Sequence, residues 1–247
     1  MAFNTLWQHP PTKLRLSKDD VHVWCASLDQ QTRTLQQFEQ TLSKNELGRA
    51  KRFYFDKDRE SFIVRHGILR IVLSYYLGIM PGQLEFFYGS HGKPYLAKRF
   101  GGDTFRFNMA HSHKLALYAF SRCREIGIDT EYIKTISDDA HIAKRFFSAC
   151  ENARLSELPA RQKKEAFFNC WTRKEAFIKA TGDGLSLPLN QFDVSLTPGE
   201  QVRLLGVKDK PEEVSRWSLA ALIPAPDYVA ALAVEGNDWH LGCWKFP

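Results

Sequence analysis

Two acidic residues stand two positions apart in an apolar, β-branched segment, residues 126–133. This composition is typical of a β-strand, in which side chains two residues apart point to the same face. Asp129 and Glu131 would therefore bring two carboxylates together, and such a pair repels itself unless a cation or a proton neutralises it. Mg²⁺ binds carboxylate and phosphate oxygens, so the pair is a candidate metal site. An exposed edge strand with acidic side chains is the alternative.

A second candidate group lies in a helical pattern at residues 168–180. Trp171, Glu175 and Lys179 are spaced four residues apart and share one helix face. An ordinary surface ion pair between Glu175 and Lys179 would have the same spacing. The tryptophan one turn earlier and the apolar residues around it favour a partly buried acid and base.

Two further segments carry single residues that could contact an anion. Gly92 and Pro94 flank Lys93 and predict a turn that fixes the direction of its ammonium group. A plain turn with a surface lysine would have the same sequence. His111 stands among polar residues between extended segments, where it could donate to a phosphate or cap a strand end.

Basic side chains also cluster before and within a helical pattern of the first half. They are Arg49, Lys51, Arg52, Arg65, His66 and Arg70. A phosphate monoester takes several charge-assisted contacts and would suit such a cluster. A solvated helix face has the same composition.

The elements that position these residues occur twice along the chain. Helical patterns at residues 60–78 and 165–184 both stop at glycine. Extended segments are predicted at residues 84–88, 116–120, 126–133, 192–196 and 229–234. The sequence Ala-Lys-Arg-Phe at residues 50–53 returns at residues 143–146. This repetition suggests two similar lobes, although the short motif could recur by chance.

We therefore predict an α+β fold, a pseudodimer of two similar α/β lobes. The first lobe would span residues 1–124 and the second residues 125–247. A ligand would bind in the cleft between the lobes, where pockets commonly form.

Composition excludes several classes of protein. The chain has 247 residues, of which 44% are apolar and 25% charged, so it is neither a disordered tail, a collagen-like repeat nor a disulfide miniprotein. No membrane span or signal peptide is visible, and five cysteines without a CxxC pair are typical of reduced thiols in a cytoplasmic protein. The net charge of +6 favours an anionic partner: nucleic acid, a nucleotide cofactor or an acidic protein.

Together these segments resemble the 4′-phosphopantetheinyl transferases. In chain order the matching motifs are GKP at 92–94, FN-x-x-H at 107–111, GID-x-E at 127–131, AKRFF at 143–147, W-x-x-K-E-x-x-x-K at 171–179 and GLSLPL at 184–189. The chain length and the two similar halves look like the Sfp-type branch, in which one chain supplies both lobes. The resemblance therefore implies a cytoplasmic monomer.

The resemblance implies transfer of the 4′-phosphopantetheine arm of coenzyme A to a serine of an apo carrier protein. The other product would be 3′,5′-ADP, and Mg²⁺ would be required. The carrier could belong to fatty acid, polyketide or nonribosomal peptide synthesis, and its acidic helices would suit a basic chain. No nucleic acid or membrane partner is expected.

The resemblance also implies roles for individual residues. Asp129, Glu131 and Glu175 match the Mg²⁺ ligands, and Lys179 matches a lysine that contacts the phosphates and assists the leaving group. Glu175 is the first candidate for the general base, with Glu151 or a metal-bound water as alternatives. The residues expected to bind coenzyme A are Arg49, Arg65, His66, Lys93, Pro94, Asn108, His111, Asp129 and Lys179.

Two other functions compete with this interpretation. A Mg²⁺-dependent phosphodiesterase or nuclease could also use three acidic residues and a lysine, but the order of the motifs disfavours it. A nucleic-acid-binding module would show basic residues interleaved with exposed aromatics. Here the aromatic residues follow the spacing of a helix core, which disfavours that function too.

Overall fold

The chain combines long helices with mainly antiparallel strands. A computed structural model describes residues 7–29, 35–89, 92–134, 139–182 and 184–247. The first half contains β1 (Asp20–Ser27), α1 (Leu35–Glu39), α2 (Lys44–Ala50), α3 (Asp56–Leu77), β2 (Phe86–Tyr88), β3 (Pro94–Leu96), β4 (Phe105–Ser112) and β5 (Leu115–Arg122). The second half contains β6 (Ile126–Tyr132), α4 (Asp139–Phe146), α5 (Ala149–Glu157), α6 (Ala160–Thr181), β7 (Phe192–Val194), β8 (Leu204–Val207), α7 (Glu213–Arg216), β9 (Trp217–Leu222), β10 (Tyr228–Glu235) and β11 (His240–Lys245).

The two halves repeat one order of elements: a strand, a short capped helix, a long helix, a small hairpin and an antiparallel strand pair. The long helices α3 and α6 both have 22 residues. Each ends at a glycine in the left-handed region, Gly78 with φ 65° and Gly182 with φ 78°. The prediction of two equivalent helices is confirmed, although the second ends at Gly182 and not at Gly184. All five predicted extended segments contain strands.

Each long helix is anchored by a buried ion pair to the short helix before it. In the first half, Ser43 and Glu46 form a capping box at the start of α2, and Glu46 Oε2 lies 2.7 Å from Arg70 Nη2. In the second half, Ser148 and Glu151 form the same capping box at the start of α5, and Glu151 Oε2 lies 2.7 Å from Lys174 Nζ of α6. Because both charges of such a pair are removed from water, each depends on its partner for compensation.

The repeated Ala-Lys-Arg-Phe sequence does not belong to this structural repeat. Ala50 ends α2, which follows the capping box of the first half. Ala143 lies in α4, which precedes the capping box of the second half. The shared sequence therefore occupies non-equivalent positions, and the alternative of chance recurrence fits it. The capping boxes and the long helices mark the repeat.

The strands form two main sheets. Their orders are β11-β1-β5-β4 and β6-β10-β9, and only the β1–β11 pair is parallel among these neighbours. Helix α3 covers the outer face of the first sheet, where Trp24 and Phe120 lie in its core. Helix α6 covers the outer face of the second sheet. A third core, which includes Val23 and Leu232, joins the inner faces, giving four layers in the order helix, sheet, sheet, helix.

The last strand crosses from one half to the other. β11 pairs with β1 over six residues, from Asp20 with His240 to Cys25 with Lys245. Residues 240–245 thus belong to the sheet of the first half, although they follow the predicted boundary at residue 124. The boundary itself stays a prediction.

Some aromatic residues are exposed and lie outside the helical patterns whose spacing predicts a core. Tyr54 is 91% and Phe55 64% exposed, in the connection between α2 and α3, and Phe53 lies beside them at 39%. In the parts of the chain that the structure describes, no helix is long and apolar enough to cross a membrane.

Breaking the buried pair of the first half should destabilise the protein strongly. Arg70→Met leaves the Glu46 carboxylate, which is 2% exposed, without its guanidinium partner. We expect the free energy of unfolding in urea to fall by about 3–5 kcal/mol. The control is Arg59→Met, which removes a surface pair with Asp56 and should cost less than about 0.5 kcal/mol. Equal losses in the two variants would contradict the anchoring role.

Candidate active site

Helix α6 lies unusually close to strand β6 at Gly127. A Cβ atom at this position would stand 2.1 Å from Ala176 O and 2.3 Å from Ala180 N. No side chain larger than hydrogen fits there, so glycine on the strand and two alanines on the helix permit the contact. This approach places the helix residues Glu175 and Lys179 over the strand that carries the acidic pair.

Asp129 and Lys179 meet directly across this contact. The Lys179 ammonium Nζ donates to Asp129 Oδ1 at 2.6 Å. Asp129 is 6% exposed, and its second oxygen, Oδ2, is buried without a hydrogen-bond partner among the described residues. A buried carboxylate oxygen without a donor carries a full desolvation cost, which a bound cation would remove.

The three acidic residues predicted to act together all have a raised pKa. Burial raises the pKa of Asp129, against the opposing charge of Lys179. Burial also raises the pKa of Glu131, and the Asp129 carboxylate adds to it. Glu175 has a raised pKa because it is desolvated and because Asp129 and Glu131 repel its charge. Repulsion of Glu131 and Glu175 by a neighbouring carboxylate is expected of acidic groups that share one region.

The acidic group fits a divalent cation by its chemistry. Among the residues that the structure describes, no three His, Cys, Asp or Glu side chains form a ready-made metal cluster. The unsatisfied Asp129 Oδ2 nevertheless lies with Glu131 and Glu175 in a region of excess negative charge. Oxygen ligands of this kind suit Mg²⁺, so these three residues could hold it.

Two side chains of β4 connect the edges of the two sheets. Asn108 Oδ1 accepts a hydrogen bond from the Ile128 backbone N–H at 3.0 Å. Ser112 Oγ donates to Glu131 Oε2 at 2.7 Å and accepts from the Tyr132 N–H at 3.1 Å. Ser112 was not among the residues predicted from the sequence. Its spacing of four residues from Asn108 puts both on one face of a strand, which is the signal that could have found it.

Lys93 points into the protein, so it is not the side chain of a plain surface turn. Gly92 has a φ of 76°, in the left-handed region, and the turn connects β2 to β3. The Lys93 side chain is 10% exposed, and its Nζ lies 3.2 Å from Ala180 O at the end of α6. Pro94 begins β3 opposite Tyr88. The turn of the first half thus reaches the end of helix α6 in the second.

Arg65 and His111 form a second basic contact. Arg65 Nη1 lies 2.7 Å from His111 Nε2. Partial burial, together with the charges of Arg65 and Lys179, lowers the pKa of His111 to about 4. A neutral ring can accept from the guanidinium, and an incoming anion would favour its protonation.

Arg49 and His66 both contact one phenyl ring, that of Phe62. His66 is stacked on Phe62 with the ring centres 3.8 Å apart, and burial lowers its pKa to about 4. The Arg49 guanidinium lies 5.5 Å from the centre of the same ring and 5.2 Å from that of Tyr88. Such cation–π contacts orient a guanidinium while leaving its N–H groups free to bind an anion.

One cavity of about 270 Å³ joins residues from both halves of the chain. It is lined by Gly92, Lys93, Asn108, Met109, Glu175, Ile178, Lys179, Gly182 and Gly184. The structure therefore brings Lys93 and Asn108 together with Glu175 and Lys179. Pro94 lies next to Lys93 in the chain, whereas Arg49 and His66 belong to the neighbouring aromatic stack.

Glu151 is not brought to this cavity. Its side chain is 2% exposed, and its Oε2 accepts hydrogen bonds from the Ser148 backbone N–H at 2.9 Å and from Lys174 Nζ at 2.7 Å. Oε1 accepts from the Val194 N–H at 2.8 Å. Because both oxygens are occupied inside the core, we assign Glu151 a structural role, and of the two glutamates Glu175 is the one that lines the cavity.

Comparison with known proteins decides the family. Residues 24–122 match the family described as "4'-phosphopantetheinyl transferase, N-terminal", and residues 125–233 match the "4'-phosphopantetheinyl transferase superfamily". The chain belongs to the 4′-phosphopantetheinyl transferases. The resemblance drawn from its motifs is confirmed, and the protein is accordingly a transferase.

Individual relatives agree with this family. The 4′-phosphopantetheinyl transferase HetI of Nostoc sp. is 44% identical over 97% of this transferase and 98% of its own length. Sfp of Bacillus subtilis is 32% identical over 83% and 87%, respectively. A solved structure titled "Chronobacterium ammoniagenes ACPS-CoA complex" covers 46% of this chain and 98% of its own, with 17% identity and a TM-score of 0.36.

Removing the charge of Glu175 should stabilise the metal-free transferase. Its raised pKa means that the folded state disfavours the charged form. This cost is present above the folded-state pKa and disappears as the pH falls below the unfolded-state pKa. We expect Glu175→Gln to raise the Tm in EDTA by about 2–4 °C at pH 8, as for a gain of about 1 kcal/mol, and by less at pH 5.

The control is Glu165→Gln, which changes an exposed glutamate on the same helix. It should leave the Tm nearly unchanged at both pH values. A lower Tm for Glu175→Gln than for the wild type at pH 8 would show that the three carboxylates do not repel one another.

Proposed function

We propose that this transferase moves the 4′-phosphopantetheine arm of coenzyme A onto a serine of an apo carrier protein and releases 3′,5′-ADP. The observation that carries the proposal is the cavity in which Lys93, Glu175 and Lys179 meet. Membership of the family supports the reaction class. The site is built from both halves of one chain, which supports a monomer as the working unit.

The reaction replaces one bond to phosphorus with another. The serine Oγ forms a bond to the β-phosphorus of coenzyme A, the bond from that phosphorus to the oxygen of 3′,5′-ADP breaks, and the serine proton must be removed. A pyrophosphate carries concentrated negative charge, so charge neutralisation and alignment dominate the barrier. Lys93 and Lys179 supply two ammonium groups to the cavity for this purpose.

Glu175 is the proposed acceptor of the serine proton. Burial and the neighbouring carboxylates raise its pKa, and a base whose pKa lies closer to neutral accepts a proton more readily in the transition state. Lys179, one helical turn further on the same face, would donate a hydrogen bond to the departing phosphate oxygen. Its contact with Asp129 fixes the direction of the ammonium group.

Asp129, Glu131 and Glu175 would hold Mg²⁺. The ion would neutralise charge on the pyrophosphate. Two features support this proposal: Asp129 Oδ2 is buried without a hydrogen-bond donor, and Ser112 Oγ orients Glu131 by donating a hydrogen bond to its Oε2. Asn108 supports the same arrangement because it ties β4 to the backbone of β6.

The 3′-phosphate of coenzyme A would be bound by the basic residues of the first half. Arg65 and His111 form one contact pair, and Arg49 and His66, the residue after Arg65, both contact the Phe62 ring. Charge-assisted contacts from several donors are typical of phosphate recognition. The net charge of +6 also suits an acidic carrier protein of the acyl, polyketide or peptidyl type.

Intact-protein mass spectrometry tests the reaction. An apo carrier protein incubated with the transferase, coenzyme A and Mg²⁺ should gain one phosphopantetheine, and EDTA should prevent the gain. Asp129→Ala and Glu175→Ala should abolish transfer, because each removes a charge that the metal needs. Glu165→Ala, on the same helix as Glu175, should retain activity.

The outcomes separate two causes of failure. If several carriers gain nothing, calorimetry with coenzyme A distinguishes an unsuitable carrier from a wrong reaction: tight binding indicates the first, and no binding the second. Normal turnover in Asp129→Ala or Glu175→Ala would contradict the metal assignment.

Lys93→Ala should weaken the use of coenzyme A more than it disturbs folding. Loss of one charge-assisted contact costs about tenfold or more in affinity, so we expect the KM for coenzyme A to rise by at least that factor. Lys98→Ala removes a lysine that is 82% exposed on the adjoining segment and should leave the KM unchanged. An unaltered KM for coenzyme A in Lys93→Ala would show that the turn at Lys93 has only a structural role.

A further inference from the structure

We propose that Glu125 is a positioning residue for Lys93, and that it holds the lysine ammonium in place for the phosphates of coenzyme A. This inference rests on the proposed function, because it names a residue that controls one of its phosphate contacts. Glu125 immediately precedes β6 and was not among the residues singled out from the sequence.

The Glu125 carboxylate contacts two basic side chains of the first half. Oε1 accepts a hydrogen bond from Arg106 Nε at 2.6 Å, and Oε2 lies 3.5 Å from Lys93 Nζ. The three side chains are 30%, 23% and 10% exposed, respectively. A partly buried carboxylate shared by two cations is electrostatically stronger than an exposed pair.

Glu125 is itself held in place by the second half. Its backbone N–H donates to Glu235 Oε2 at 3.2 Å, and its carbonyl accepts from the Glu235 N–H at 3.0 Å. Arg106 is fixed on its other side, because Nη1 donates to Gly102 O at 2.7 Å. The carboxylate therefore stands at a defined point between the halves, where small movements of Lys93 would break its contact.

The other groups around Lys93 do not supply a negative charge at this end. Its Nζ also contacts two neutral carbonyls, Ile126 O at 3.4 Å and Ala180 O at 3.2 Å. The Tyr95 ring lies 5.7 Å away, and Arg106 is a like charge. Across the cavity, α6 presents Glu175 and Lys179. In the described part of the chain, Glu125 is the carboxylate that forms an ion pair with Lys93.

This arrangement affects both the position and the charge of Lys93. Burial lowers the pKa of Lys93, Glu125 opposes that effect and Arg106 adds to it. Removing the Glu125 charge would leave the ammonium without its ionic partner and let it lose its proton at a lower pH. Both effects weaken a phosphate contact, and neither acts on the group that accepts the serine proton.

The test compares Glu125→Gln with a matched variant. Glutamine keeps the size of the side chain and removes its charge. The control is Glu213→Gln, because Glu213 lines a neighbouring polar cavity together with Glu125 but bonds to Arg216 and Trp217. Steady-state transfer is measured over a range of pH for the wild type, both variants, Lys93→Met, and Glu125→Gln combined with Lys93→Met, with the Tm of each recorded.

We expect Glu125→Gln to raise the KM for coenzyme A about three- to tenfold with kcat within about twofold of wild type. The alkaline limb of kcat/KM should move to lower pH, and Lys93→Met should lack that limb. Glu213→Gln should behave like the wild type. In the Lys93→Met background, Glu125→Gln should add nothing, since its effect passes through Lys93.

Two results would overturn the inference. One is an unchanged KM and alkaline limb in Glu125→Gln; the other is an equal loss with and without Lys93, which would indicate a merely structural role. If Glu125→Gln does not fold, Glu125→Asp keeps the charge but withdraws it from Lys93, and it should raise the KM without moving the alkaline limb. Failure of the wild type to transfer at all would instead refute the proposed function, and the inference with it.

Discussion

The contact of α6 with β6 at Gly127 is the constraint on which the site depends. The strand carries two acidic residues, and the helix carries the third together with Lys179, so the acidic group exists only where the two backbones lie this close. Even a methyl group on Gly127 would collide with the backbone of Ala176. The resulting charge repulsion among the carboxylates is a cost to folding, and the fold meets it with the extensive apolar core beneath α6.

Both long helices are held in place by a buried ion pair, which helps to offset the folding cost of the carboxylate repulsion. In each half, the glutamate of a capping box forms a buried ion pair with a basic residue of the long helix. Lys174 is fully buried by this contact and directly precedes Glu175 in the chain. The same pair that fixes the helix therefore fixes the position from which Glu175 extends into the cavity.

Much of this arrangement could be predicted from the sequence, because it depends on spacing within single elements. The helices, the turn at Lys93 and the face shared by Glu175 and Lys179 follow from local patterns. The inward direction of Lys93 and the role of Glu125 could not be found in that way, because each depends on contacts between elements that are distant in the sequence. The short repeat at Ala50 and Ala143 misled for the opposite reason: local similarity does not establish an equivalent place in the fold.

The path of the last strand limits how the protein can move. After β10 the chain leaves the sheet of the second half, and β11 pairs with β1 in the sheet of the first half. Residues 123–125, between β5 and β6, make a second short connection between the two sheets. The sheets also share a continuous apolar core. Two chain connections and a common core oppose a hinge motion of the two sheets that would widen the cavity between the halves. The framework around the cavity is therefore set when the protein folds, and access to the cavity depends on the turns and side chains that line it.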